Sequence, residues 1–344
     1  MQIVWLRRDL RVEDNSALHD AIASGESVVA VYIATPTSWQ AHHLAPMQAD
    51  LIYRRLFELQ ADLAHINIPL LYKEVATYKE SVTWLTALAH DLNATRIVFN
   101  KEYEWNECRR DDLLRKHADC EVIGFDDKCL LAPGKVLNKQ AAYFKVFTPF
   151  KKTYLAKLLQ HAPNIVQPSQ VEKMMDKGHL SDELSISSTF SYPRQSSANY
   201  CVSTKEIRQK LRDFCAMPVD EYQKQRDFPA INATSGLSPY LAIGALSVRQ
   251  CAARLQYGKC HPLGGGRETW LSELVWRDFY QHLLHFEPKL SKGRNFVAWT
   301  QKVKWLENQA HLEAWQQGKT GYPIVDAAMR QLNTTGWMHN RLRM

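Results

Sequence analysis

What this 344-residue sequence lacks narrows its class quickly. No apolar run approaches the roughly 20 residues that cross a bilayer; Val28–Ala34 is among the longest. The opening Met1–Asp9 stretch, with Arg7 and Arg8, is too short and too charged for a secretory leader. Seven cysteines, at positions 108, 120, 129, 201, 215, 251 and 260, are scattered and never form a Cys-x-x-Cys pair. That spacing supports neither a disulfide scaffold nor a zinc site, and fits reduced thiols in the cytoplasm. Glycine is scarce at the start: only Gly25, Gly124 and Gly134 precede residue 150. An ordinary Gly-x-Gly-x-x-Gly dinucleotide domain is thereby set aside for the first half, because its phosphate turn needs those glycines. No Ser-His-Asp arrangement, catalytic carboxylate pair or metal-ligand cluster stands out. No metal is therefore expected, and the chemistry is expected to reside in a cofactor.

Excess charge is also missing from the first half. Residues 1–199 carry 23 Lys and Arg against 24 Asp and Glu, whereas residues 200–344 carry 20 against 12. The whole positive surplus, with six of the ten tryptophans, therefore sits in the second half. Cations interleaved with aromatics suit a partner with outer phosphates and stackable rings, a nucleic acid or a nucleotide cofactor. A solvated basic face over an aromatic core has the same composition.

What is present has a clear order. Apolar, β-branched runs at Ile3–Leu6, Val28–Ile33, Pro69–Glu74, Arg96–Asn100 and Glu121–Phe125 alternate with segments of helical spacing such as Leu51, Leu56, Leu59 and Leu63. Five strands alternating with helices predict a parallel α/β sheet with Rossmann-like layers over residues 1–130. Asn15 is the expected cap of a helix over Ser16–Ala23. Residues 131–200 are expected to connect two domains, above all where seven serines crowd positions 181–197. Helical spacing then dominates at Thr204–Phe214, Pro239–Ile243, Val248–Tyr257, Glu268–Phe286 and Pro323–Leu332, predicting an all-α domain over 201–344.

Two features of the helical half go beyond packing. In Thr234-Ser235-Gly236-Leu237-Ser238-Pro239, Ser238 is expected to cap a helix and Pro239 to start it. Three hydroxyls and a glycine at a positive helix end make either a pyrophosphate cradle or simply a capped helix. On the Glu268–Phe286 helix, Leu271, Val275, Phe279, Leu283 and Phe286 form a core stripe, while Glu273, Trp276, Arg277 and Tyr280 share another face. That face offers a planar heterocycle and its phosphates a carboxylate, a guanidinium and two rings. Equally, Glu273 and Arg277 make an ordinary i,i+4 surface pair. Near the end, His339, Asn340, Arg341 and Arg343 supply amide and cationic donors; His339 is assigned no role.

Taken in order, these motifs resemble the DNA photolyase/cryptochrome flavoproteins, most closely the bacterial photolyases of cyclobutane pyrimidine dimers. The likeness rests on Trp5–Asn15, Tyr222–Pro229, Thr234–Leu241, Glu273–Tyr280 and Gly321–Met344, and runs along the whole chain. It implies an α/β antenna domain followed by an all-α FAD domain, and a light-driven electron transfer from reduced flavin that splits a dimer flipped out of UV-damaged DNA. A cryptochrome-like photoreceptor and a flavin-free remnant are the alternatives.

By position, the resemblance gives Tyr222, Thr234, Ser235, Gly236, Leu237, Ser238 and Trp270 to FAD. It gives Arg226, Glu273, Trp276, Arg277, Tyr280, Asn340, Arg341 and Met344 to DNA, with Trp276 stacking on the lesion and Glu273 bonding a thymine edge. Trp305 matches the outermost tryptophan of the chain that photoreduces the flavin. His42, Asn106, Glu107 and Lys292 match a folate-antenna site, implying methenyltetrahydrofolate. Gly236 stands where many family members have a basic residue. Family members also continue past the position of Met344, so the helical domain is expected to be incomplete at its C-terminus. A monomer without a membrane partner is expected.

Overall fold

The computed structural model describes residues 1–160, 164–173, 190–256 and 263–343. Strands β1 (Gln2–Leu6), β2 (Val28–Ala34), β3 (Leu70–Glu74), β4 (Arg96–Asn100) and β5 (Glu121–Phe125) form one parallel sheet in the order β3-β2-β1-β4-β5. Helices α1 (Ser16–Ala23), α2 (Pro36–Ala41), α3 (Pro46–Ala64), α4 (Tyr78–Asp91) and α5 (Trp105–His117) make the crossovers. All five expected strands are present. Side chains alternate as a pleated strand requires. Ile3, Trp5, Ile97 and Phe99 pack with Leu85 and Leu114 on one face, while Val4, Leu6 and Val98 join Leu56 and Leu59 on the other. Asn15 caps α1 as expected, its side chain accepting from the Leu18 N–H at 3.1 Å. The strand order reverses beside β1, so a crevice opens over the C-terminal ends of the central strands.

The remainder is helical: α6 (Phe147–Gln160), α7 (Thr204–Ala216), α8 (Pro218–Gln225), α9 (Ser238–Ile243), α10 (Val248–Gln256), α11 (Gly265–Phe286), α12 (Gln309–Gln316) and α13 (Pro323–Thr335). Short 3₁₀ turns occupy Pro288–Lys292, Ala298–Lys302 and Asn340–Leu342. Three of these helices, α6, α8 and the short α12, were not expected. α6 lies in the supposed connector, where Phe150, Tyr154 and Leu158 bury one face between exposed lysines. α8 opens on Pro218 with Asp220 and Glu221 in its first turn, a start signal easily passed over in so short a helix. Ser238 is not the cap of α9. Leu237 is, and Ser238 is already helical, because the loop turns one residue earlier, at Gly236. The serine-rich 174–189 stretch and Cys260 lie outside the described residues. The six described cysteines are unpaired.

One apolar cluster runs without a break from Val4 and Leu56 through Phe150 and Tyr154 to Tyr240 and Leu274, so sheet and helices share a core. Polar ties reinforce the seam. Buried Asp14 accepts from Arg249 Nε at 3.0 Å and from the Ser247 hydroxyl. The Leu10 N–H donates to the Ile243 carbonyl at 3.2 Å. Beside it, Gly244 adopts φ +71, and a Cβ there would overlap the Arg8 backbone carbonyl.

Candidate functional site

α11 carries the face singled out from the sequence, and neighbours hold it from two sides. Near its start, Gly266 lies so close to α8 that a Cβ would overlap the Val219 carbonyl. Buried Arg267 donates to Asp220 at 2.7 Å and to the Cys215 and Leu255 carbonyls at 2.9 Å, tying α11 to α7, α8 and α10. The chain leaving β5 runs along another side. Asp278 accepts from the Leu130 N–H at 2.7 Å and the Tyr154 hydroxyl at 2.5 Å, and Arg277 donates to the Lys128 carbonyl at 2.6 Å. His282 Nδ1 accepts from the Gly134 N–H at 3.3 Å. Burial pushes the Asp278 carboxyl up against the opposing pull of Arg277, and pushes His282 down to about 4. Leu271, Val275, Phe279 and Leu283 form the expected buried stripe; Phe286 is only half-buried.

This scaffold walls a cavity of about 390 Å³. Its lining comprises Tyr222 and Arg226 at the end of α8, Thr234, Ser235 and Ser238 of the hydroxyl loop, Trp270, Glu273 and Arg277 of α11, and His339, Asn340 and Arg341. Ten of the expected site residues thus meet in one place. Leu237 is buried next to them, and Gly236 turns the loop at φ +59. Trp276 and Tyr280 sit farther along α11, outside the cavity wall. Trp276 stacks on Phe147 of α6, with centroids 3.5 Å apart and planes 9° from parallel, while Tyr280 is 57% exposed. Trp305 is 83% exposed on the segment before α12. Met344 lies outside the described residues.

The ion pairing differs from the sequence expectation. Glu273 accepts from Arg226 at 2.5 Å, and Arg277 is turned instead to the Lys128 carbonyl, because α8 covers one edge of α11 and the strand-exit segment another. Arg226 also faces Asp227 at 3.4 Å, and Asp227 accepts from Arg341 at 2.6 Å. A row of alternating sign results: Glu273, Arg226, Asp227, Arg341. Burial lowers the Arg226 pKa, but the Glu273 hydrogen bond and charge outweigh it and raise it overall. The Arg341 hydrogen bond holds Asp227 below the usual carboxylate range, and burial followed by Glu273 pushes Tyr222 up to about 12. Asp227 was missed in the sequence, although it lies inside the Tyr222–Pro229 motif.

His339 was missed too. It is 3% exposed, and its Nδ1 accepts from the Arg341 N–H at 3.2 Å, which puts the proton on Nε2. That Nε2 is buried without a partner among the described residues. An orphan donor on a wall that also carries three hydroxyls suits a ligand rich in acceptors.

Three of the residues expected for an antenna also converge. Asn106 Nδ2 lies 2.9 Å from His42 Nε2, and His42 Nδ1 lies 3.9 Å from Glu107. Tyr78 donates to Glu107 at 3.0 Å. Lys292 lies on the turn packed against the start of α5, its Nζ 5.8 Å from the Trp105 ring centroid. His42 further lines a cavity of about 240 Å³ with Arg8, Tyr32, Trp39, Tyr78 and Arg110. This crevice sits where open parallel sheets place their ligands, a rule that names the location but not the side chains. Ala242 of α9 lines both this cavity and the larger one. Among the described residues, no helix is long and apolar enough to cross a membrane, and no cluster of His, Cys, Asp and Glu is placed to hold a metal.

Comparison with known proteins returned two family models: DNA photolyase over residues 2–169, and the FAD binding domain of DNA photolyase over residues 270–344. The deoxyribodipyrimidine photo-lyase of Vibrio cholerae is 49% identical over 350 residues, spanning 100% of this chain and 74% of that protein. The Escherichia coli enzyme of the same name is 47% identical, spanning 99% and 72%. Among solved structures, a class III photolyase from Agrobacterium tumefaciens superposes with a TM-score of 0.81 at 27% identity, covering 99% of this chain and 70% of that one.

Proposed function

The chain belongs to the DNA photolyase family, and from that membership we propose that it is a light-dependent deoxyribodipyrimidine photo-lyase, returning cyclobutane pyrimidine dimers in DNA to two pyrimidines. The observation that carries this reading is the cavity where the hydroxyl loop, Trp270, His339 and the Glu273–Arg226–Asp227–Arg341 row meet. FAD, when bound there in reduced form, supplies the photo-excited electron that opens the cyclobutane ring.

The residues present fit that cofactor. Thr234, Ser235 and Ser238 offer hydroxyl donors to a pyrophosphate, His339 offers its unpartnered Nε2–H, and Trp270 offers an apolar wall. On the DNA side, Arg226, Arg277, Asn340 and Arg341 supply donors for phosphates and base edges. In this reading Glu273 accepts from a thymine N–H and Trp276 stacks on the extruded lesion. A dimer stacks poorly in the duplex, so extruding it costs less than extruding intact bases. Exposed Trp305 is the surface entry for the electron that reduces the flavin. No residue needs to act as a proton-transferring acid or base, because the two pyrimidines hold the same atoms and protons as the dimer and the donated electron returns to the flavin.

His42, Asn106, Glu107 and Lys292 are read as a methenyltetrahydrofolate antenna site, supported by the convergence of the first three side chains. Near-UV absorbance of the purified protein, lost in His42→Ala, tests it. The protein is taken as a cytoplasmic monomer. For the main reading, dimer-containing duplex is incubated with reduced, FAD-loaded protein under near-UV or blue light. Dimers are expected to disappear; no loss beyond the dark control overturns the repair assignment and favours a photoreceptor.

A further inference from the structure

The hydroxyl loop contains no basic residue between Thr234 and Ser238, yet a cation lies against it. Gly236 turns the loop in the left-handed region, and the space a side chain would fill there is taken by Lys210 of α7. A Cβ on Gly236 would stand 3.2 Å from Lys210 Cε and 3.6 Å from its Nζ. α7 buries Ile207, Leu211 and Phe214 and leaves Lys210 exposed on its polar side. Lys210 makes no hydrogen bond or ion pair with the described residues, so its ammonium stands against the Gly236 turn without an anion of its own.

We propose that Lys210 binds the pyrophosphate of FAD, supplying from α7 the positive charge that the loop lacks. This rests on the reading of residues 234–238 as the pyrophosphate cradle. Lysine suits the task as a mobile point charge, and a missing side chain at position 236 is what lets it approach.

The test titrates the flavin-stripped full chain with FAD and, in parallel, with riboflavin, which carries no phosphate. Lys210→Gln is expected to raise the FAD dissociation constant about fivefold, the size of an exposed charge contact. Lys210→Glu should raise it further, Lys210→Arg should stay within about twofold of the parent, and riboflavin binding should not move. The salt dependence of FAD binding should flatten in Lys210→Gln. The proposal is overturned if Lys210→Arg is as weak as Lys210→Gln, or if riboflavin weakens as much as FAD. It is also overturned if Lys210→Gln is neutral while the double variant Ser235→Ala/Ser238→Ala weakens FAD, an outcome that leaves the cradle standing. If the serine variant is neutral as well, the cradle reading itself fails. Lys210 is exposed, and urea midpoints of each variant verify that the fold is kept.

Discussion

Arg226 donates to Glu273 at 2.5 Å, linking the end of α8 to the middle of α11 across 47 residues of sequence. Removing the carboxylate leaves a largely buried guanidinium to find another anion. If Glu273 bonds the lesion as proposed, Glu273→Ala is expected to raise the dark dissociation constant for a duplex carrying one thymine dimer about tenfold, the size of one lost charged hydrogen bond. Undamaged duplex should bind at least as tightly as before, because the freed Arg226 meets phosphate. Arg226→Ala should weaken both duplexes alike and reduce the salt slope by about 1. Equal losses on both duplexes for Glu273→Ala would count against the lesion contact.

Gly244 admits no side chain. It combines φ +71 with direct contact against the Arg8 backbone, and backbone cannot swing aside as a lysine tip can. Gly244→Ala should therefore part the sheet from α9 and cost at least about 3 kcal/mol in urea unfolding. A cost under about 1 kcal/mol would mean that the two segments separate freely.

His282 makes the fold sensitive to acid. Burial lowers its pKa from 6.5 to about 4, with the Leu131 carbonyl opposing and His285 adding to the fall. Between those values the unfolded chain holds a proton that the folded chain does not. Stability should therefore drop as pH falls through that window, by about 3 kcal/mol in all. His282→Asn should flatten this limb in urea midpoints taken between pH 7 and pH 4.5; an unchanged limb would assign the acid sensitivity elsewhere.

His339 is expected to separate stability from cofactor affinity. Its buried Nε2 has no partner among the described residues, so His339→Leu should stabilise the flavin-free chain by about 1 kcal/mol, the penalty of one unsatisfied group. The same variant should weaken FAD binding about fivefold by removing a donor. Weaker binding together with a lower urea midpoint would instead indicate a packing defect.

Much of the fold was legible because buried parallel strands write themselves as β-branched runs. Ile3–Leu6 and Arg96–Asn100 could hardly have been anything else. The α11 face was legible for the same reason of period: Glu273, Trp276, Arg277 and Tyr280 must share a side of any helix. Spacing could not reveal which neighbour covers which edge. Glu273 therefore looked like the partner of Arg277, when α8 brings it Arg226 and the strand-exit segment takes Arg277 away. Phe147 escaped notice because α6 hides in a stretch read as connector, and nothing local to residue 147 announces a tryptophan 129 positions later. Lys210 was invisible for the opposite reason: its signal is the side chain that Gly236 does not have.

The segment that leaves β5 clasps α11 through Lys128, Leu130 and Gly134, and Tyr154 completes the hold on Asp278. The halves are consequently not interchangeable cassettes. A chimera spliced near residue 130, with a relative's sheet on one side and this helical half on the other, would join α11 to a clasp shaped for a different helix. A property seated on the sheet could not be transplanted by moving the sheet alone. A functional graft has to carry the chain through the end of α6, so that Leu130, Gly134 and Tyr154 travel together and the recipient's α11 is matched to them.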